Sequence, residues 1–184
     1  MKILLHTCCA PCSIQCVEVL KNEGIAPDLY WYNPNIHPYT EYRSRRDSLL
    51  EFAKRKNLAF VMEDEYGLRA FINTVENNAL QQQGARCAYC YRLRLGKAAR
   101  MAAEKGYDAF STTLLISPYQ DHELLKQIGE EEAANCGVEF LYRDFRPNFR
   151  EGRQQAREAG YYMQKYCGCI YSEEERYLTK QGGK

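Results

Sequence analysis

No apolar run in this chain approaches the ~20 residues that a membrane-crossing helix needs. The first apolar stretch, Ile3-Leu4-Leu5, is too short for the hydrophobic part of a secretion signal, and His6 interrupts it. Both absences point to a cytoplasmic protein with no membrane partner. A formal net charge of +1 excludes a polycation, so nucleic-acid binding would have to rest on a local patch. There is no internal repeat, low-complexity segment or interdomain linker. The 184 residues then fit one domain, 1–184. A chain of this size can bury roughly 70 % of its unfolded surface, enough for a core without staples. Gly182 and Gly183 read as a frayed tail.

Against these absences stand nine cysteines. A secreted chain would pair them and leave one over. In a reducing cytoplasm, clustered thiols bind metal or carry out redox chemistry. Seven fall into three tight groups: Cys8, Cys9 and Cys12; Cys87 and Cys90; Cys167 and Cys169. Cys16 and Cys136 stand apart and read as packing residues.

Residues 2–6 read as a buried strand, followed by a helix over about 12–23 that Gly24 stops. Further strands are expected at 28–33, 59–63, 109–115 and 138–142. Helices are expected at 38–56, 68–82, 87–105 and 120–135, the last ended by Gly137. Strands alternating with helices predict βαβ units. The expected fold is α/β and Rossmann-like: a mostly parallel sheet of about five strands flanked by helices, with a helical C-terminal segment at about 149–184. Such sheets bind ligands beyond the carboxyl ends of their strands. His6-Thr7-Cys8-Cys9, the turn after Asn33 and the stretch Thr112–Tyr119 all fall at such ends.

A Cys-x-x-Cys pair at a helix start suits metal binding. The spacing lets both sulfurs face one ion or cluster, and the positive helix end favours thiolates. Arg86, Arg92 and Arg94 around Cys87 and Cys90 add positive potential. Four thiolates can hold a structural zinc or an iron–sulfur cluster. More thiols are present than one zinc needs, and they lie at a ligand-binding edge, which favours iron–sulfur. Cys12 reads either as a ligand or as the first residue of its helix. Cys167-Gly168-Cys169 would form a strained, easily reduced disulfide, as a catalytic dithiol requires, or would clamp a metal ion.

Five blocks together resemble the QueH-type epoxyqueuosine reductases: LLHTCCAPCS, NPNIHPYTEYRSR, RCAYCYRLRL, STTLLISPYQDHELLKQIGEEEA and YCGCIYS. They run from Leu4 to Ser172, nearly the whole chain. The resemblance implies a fold related to the PP-loop nucleotide hydrolases and a substrate tRNA carrying epoxyqueuosine. It implies removal of the epoxide oxygen at the wobble base of the anticodon to leave queuosine, the last step of that synthesis. It also implies a [4Fe–4S] cluster with an adjacent mononuclear iron, and an external electron donor. Carried over by motif, Cys8, Cys9, Cys87 and Cys90 look like the cluster ligands. Cys167 and Cys169 look like a redox-active pair or ligands of the second metal, which Cys12 could also face. The glycine-rich SGGxDS loop of PP-loop ATPases is missing. HTCCAPCS stands in its place, so no ATP dependence is expected.

An anticodon-loop base is held by stacking and by cations on the backbone. The densest basic stretch, RDFRPNFREGRQQAR at 143–157, includes Arg143, Arg146 and Arg150. These, with Arg86, Tyr119 and His122, are the candidate substrate contacts. Arg43, Arg45 and Arg46 form a second basic group. His6, Tyr89, Tyr119 and His122 are candidate proton donors, with a hydrogen-bonding role at the strand end the plainer reading of His6. Two rival readings remain: an iron–sulfur tRNA thiolase of PP-loop type, and a zinc-stabilised RNA-binding module.

Overall fold

The structure is a computed structural model that describes residues 1–178; the expected glycine tail at Gly182 and Gly183 lies outside them. Five parallel strands form one sheet in the order β3-β2-β1-β4-β5. They are β1 (Ile3–His6), β2 (Asp28–Trp31), β3 (Phe60–Met62), β4 (Ala109–Thr112) and β5 (Glu139–Phe140). Every residue of β1 and β4 is buried, as central strands covered on both faces require. β1 pairs with both neighbours, Leu5 lying opposite Leu29 of β2 and Ser111 of β4. The expected Rossmann-like parallel α/β sheet is what the chain forms.

Seven helices complete the fold among the described residues: α1 (Ala10–Asn22), α2 (Tyr39–Arg55), α3 (Leu68–Asn77), α4 (Gln83–Glu104), α5 (His122–Cys136), α6 (Phe149–Glu158) and α7 (Ile170–Tyr177). α6 packs on α1 and α5 packs on α4. Right-handed crossovers place α1 and α2 on one face of the sheet and α4 and α5 on the other. The strand order reverses between β1 and β4, and a doubly wound sheet opens its ligand crevice at such a point.

Several boundaries differ from expectation, each for a local reason. α1 starts at Ala10 rather than at residue 12. Cys9 is its extended N-cap, and Pro11 sits in the first turn, where no N–H is needed. α4 starts at Gln83, four residues before Cys87. β4 ends at Thr112, because that hydroxyl accepts the Leu114 N–H and turns residues Thr113–Ile116 into a 3-10 helix. α3 stops at Asn77 instead of residue 82. Gly137 ends α5 as expected, its φ of 68° being the left-handed cap that glycine adopts freely.

Candidate metal centre

The turn from β1 into α1 places Cys8, Cys9 and Cys12 at the switch point. Their three sulfurs lie within 4.8 Å of one another and all are buried. The backbone here is fixed from two strands. Thr7 N–H bonds the Tyr30 carbonyl (2.8 Å). Cys8 N–H bonds the Thr113 hydroxyl (3.4 Å), and that hydroxyl lies 3.7 Å from the Cys8 sulfur. Cys12 is the third residue of α1, and its sulfur accepts from the Gln164 amide (3.4 Å). Contacts with the Cys12 and Cys9 thiols hold Cys8 well below the ordinary thiol pKa; burial pushes Cys9 well above it. Of the three sulfurs, Cys8 is therefore the one most readily ionised.

A second group forms beside it. Cys87, Cys90, Cys167 and Cys169 line one cavity, shared with Asn35, Tyr91 and Gln120. Cys90 and Cys169 are buried together against Phe71 and Val75. The Cys-x-x-Cys pair lies in the second turn of α4, not at its start. The charge facing it therefore comes from arginine side chains rather than from the helix end. Arg94, buried one turn further along α4, donates to the Cys90 sulfur (3.1 Å) and the Cys90 carbonyl (3.3 Å). Gln120 donates to the Cys167 sulfur (3.5 Å). Burial raises Cys90 to about 12 against the pull of Arg94, and raises Cys87 to about 11. The resemblance-based set Cys8, Cys9, Cys87 and Cys90 thus draws two sulfurs from each group.

Two buried guanidiniums link the groups. The charge of Arg94 acts on Cys90, Cys167 and Cys8. Arg45 acts on Cys9 and Cys8, and its two terminal nitrogens donate to the Tyr166 and Cys167 carbonyls (both 2.9 Å). Arg45 is balanced by Glu41 at 2.7 Å, whereas Arg94 forms no ion pair among the described residues. A buried cation without a counter-charge costs several kcal/mol. Among the described residues, the groups facing Arg94 are the sulfurs of Cys90, Cys167 and Cys8 and the Tyr91 hydroxyl, and three side-chain N–H donors already point at cysteine sulfurs. Thiolates holding a metal ion or cluster fit this environment better than neutral thiols do.

The remaining candidates divide sharply. His6 is bonded at both ring nitrogens, to the Thr112 hydroxyl (3.0 Å) and the Tyr32 carbonyl (3.1 Å), and burial lowers its pKa to about 4. It is a neutral strand-end anchor. Arg86 is buried and ion-paired to Glu175 (2.7 Å), so it forms cavity wall rather than outer surface. His122 is buried, with Nε2 at 3.1 Å from the Ser117 carbonyl. Arg143 pairs with Glu23 and Arg146 with Asp144. Arg150 and Tyr119 are exposed. In the second basic group, Arg45 is buried and Arg46 pairs with Asp64 and Asp47, leaving Arg43 exposed. Cys16 is wholly buried in the core, as a packing residue should be. Nothing in the sequence marks Asn35, since asparagine has many structural uses, and Arg45 reads there only as one of three arginines in a basic group weighed for RNA contact.

Residues 3–175 match the family model for "Epoxyqueuosine reductase QueH". Proteins of that name are similar over almost the whole of this chain. The one from Dehalococcoides mccartyi is 37 % identical over 96 % of this chain and 94 % of its own. That from Thermotoga maritima is 33 % identical over 95 % and 91 %. That from Acinetobacter baylyi is 33 % identical over 98 % and 85 %. A solved structure titled as a predicted subunit of tRNA methyltransferase, from Methanocaldococcus jannaschii, shares the fold with a TM-score of 0.53 at 14 % identity. It covers 100 % of this chain and 89 % of its own. The chain belongs to the QueH family of epoxyqueuosine reductases.

Proposed function

We propose that the protein reduces epoxyqueuosine at the wobble position of a tRNA anticodon to queuosine, in the cytoplasm, drawing on an external electron donor. The observation that carries this reading is the gathering of seven thiols around Arg94 and Arg45 at the switch point, within a chain of this family. Opening an epoxide to an alkene consumes two electrons and two protons and releases water. The resemblance and the facing of the two thiol groups support Cys8, Cys9, Cys87 and Cys90 as ligands of a [4Fe–4S] cluster, with Cys167 and Cys169 as a redox-active pair or as ligands of an adjacent iron that Cys12 could also face. Bound there, these groups would supply single electrons and a Lewis acid. The chain's own part is to face the sulfurs with the charge of Arg94, to aim the Cys167-Gly168-Cys169 loop through Arg45, and to exclude water by burial. Tyr91, whose hydroxyl donates to Gln120 (2.7 Å), closes the cavity wall.

The RNA contacts we assign are Arg150 and Tyr119, which are exposed. Arg143 and Arg146 contribute less, since acids already neutralise them. No ATP is required, because the turn after β1 is filled by Cys8, Cys9 and Pro11 where a phosphate cradle needs glycine N–H groups.

Anaerobic purification with iron, sulfide and zinc quantitation, followed by assay on substrate tRNA, tests this function. Iron and sulfide in cluster proportion with ATP-independent epoxide loss is the expected result. Zinc without iron, or full activity without a cluster, would overturn it. ATP consumption would instead favour the thiolase.

A further inference from the structure

Tyr119 is 84 % exposed, yet the backbone around it is pinned on both sides. Its N–H bonds the Ser117 hydroxyl (3.3 Å). Next to it, Gln120 accepts from Tyr91 and donates to the Cys167 sulfur. Asp121 N–H bonds the Tyr91 hydroxyl (3.3 Å), and the Asp121 carboxylate caps α5 at Leu124 (3.0 Å). The ring therefore stands on a fixed stem, one residue from the wall of the thiol cavity. Phe149 of α6 braces it edge-on, with ring centres 6.0 Å apart at 82°. The Arg153 guanidinium lies 5.7 Å from the Phe149 ring centre, and Arg150 is exposed next to it in sequence. Neither arginine forms an ion pair among the described residues, unlike Arg143 and Arg146.

An immobilised, solvent-facing aromatic beside unpaired cations is the chemistry that holds single-stranded RNA. The ring stacks on an unpaired base while arginines meet the backbone phosphates. We infer that Tyr119, braced by Phe149, is a stacking platform for the anticodon-loop base adjacent to the reacting nucleotide, with Arg150 and Arg153 on its phosphates. This rests on the tRNA reading above and adds how the RNA is gripped. On this reading the reacting nucleotide lies on the Gln120 side of Tyr119, at the outer edge of the thiol group, while its neighbour stacks on the ring.

The test uses the metal-loaded protein and an anticodon stem-loop RNA carrying 2-aminopurine next to the wobble position. Binding to the wild type should quench the fluorescence. Tyr119→Phe should keep both quench and affinity. Tyr119→Ala should lose the quench and weaken binding by about 5- to 150-fold, the range that stacking energies per base convert to. Iron content should stay unchanged, since the side chain is exposed. Wild-type quench and affinity in Tyr119→Ala would overturn the platform and leave the tRNA reading standing. A metal-loaded wild type that does not bind the stem-loop would bring down that reading, and the platform with it.

Discussion

The two thiol groups share the field of the buried arginines but are held by different means. Cys8, Cys9 and Cys12 ride on the end of β1 and the first turn of α1, so the sheet ladder itself fixes them. Cys167 and Cys169 lie in a loop before α7 that has no ladder of its own. That loop borrows its position from residues far away in sequence. Arg45 grips two of its carbonyls, His37 N–H bonds the Gly168 carbonyl (2.8 Å), and the His37 ring accepts the Ile170 N–H (3.3 Å). One half of the centre is built by the fold. The loop of Cys167 and Cys169 is docked onto it beside Cys87 and Cys90 of α4, which makes that loop separable by mutation.

The largest effect should come from the wall that both halves share. Cys90→Ser removes a sulfur that Arg94 contacts directly, and should abolish cluster absorbance and epoxide reduction together. Retained absorbance with lost activity would move Cys90 from ligand to catalytic thiol. Next comes the docking itself. Arg45→Met strips Glu41 of its buried partner and frees two carbonyls, a loss of about 3–5 kcal/mol in urea unfolding. Alkylation of Cys167 should speed up more than that of Cys8. Equal acceleration at both would mean that the loop is not separable.

Acid should act in the same direction. Burial lowers His37 to about 4, and its Nε2–H is committed to the Pro34 carbonyl (2.9 Å), leaving Nδ1 to accept from Ile170. The unfolded chain binds a proton near pH 6.5 that the folded chain refuses until about 4. Stability from the neutral ring is therefore complete above pH 6.5 and is lost as pH falls toward 4, by up to about 1.4 kcal/mol per unit. His37→Gln should flatten the urea-stability curve over that window. An unchanged slope would assign the acid loss to His6 instead. Gly168 should matter less. Its φ of +149° is rare for a residue with a side chain, and an added Cβ would meet Ile36 at 3.3 Å and Arg45 at 3.4 Å. Gly168→Ala should cost about 1–3 kcal/mol.

The same contrast explains what the sequence disclosed. The β1–α1 turn, the parallel sheet and the cap at Gly137 were legible, because local pattern decides them: an apolar run, then a cap, then helix periodicity. The start of α4 was not. Gln83, Gly84 and Ala85 carry no capping signal, so the helix seemed to begin with the cysteines. The roles of Arg45 and His37 were invisible for a different reason. Each acts on residues more than 120 positions away, and nothing local separates a buried arginine from Arg43 or Arg46 on the same helix. The basic stretch 143–157 was legible as composition, but its pairing with Glu23 and Asp144 was not.

That pairing sets the smallest prediction. Arg146 is held by Asp144 at 2.7 Å, and the pair lowers Asp144 to about 2. An exposed pair of this kind adds little to folding. Arg146→Glu should leave stability nearly unchanged and weaken tRNA binding only slightly, since its charge is already spent on Asp144. Arg150→Glu removes an uncommitted cation, and should weaken binding more and lower the salt dependence by about one unit of slope. Equal losses in the two variants would mean that RNA displaces Asp144 from Arg146 on binding. The whole 143–157 stretch, rather than α6 alone, would then be the contact surface.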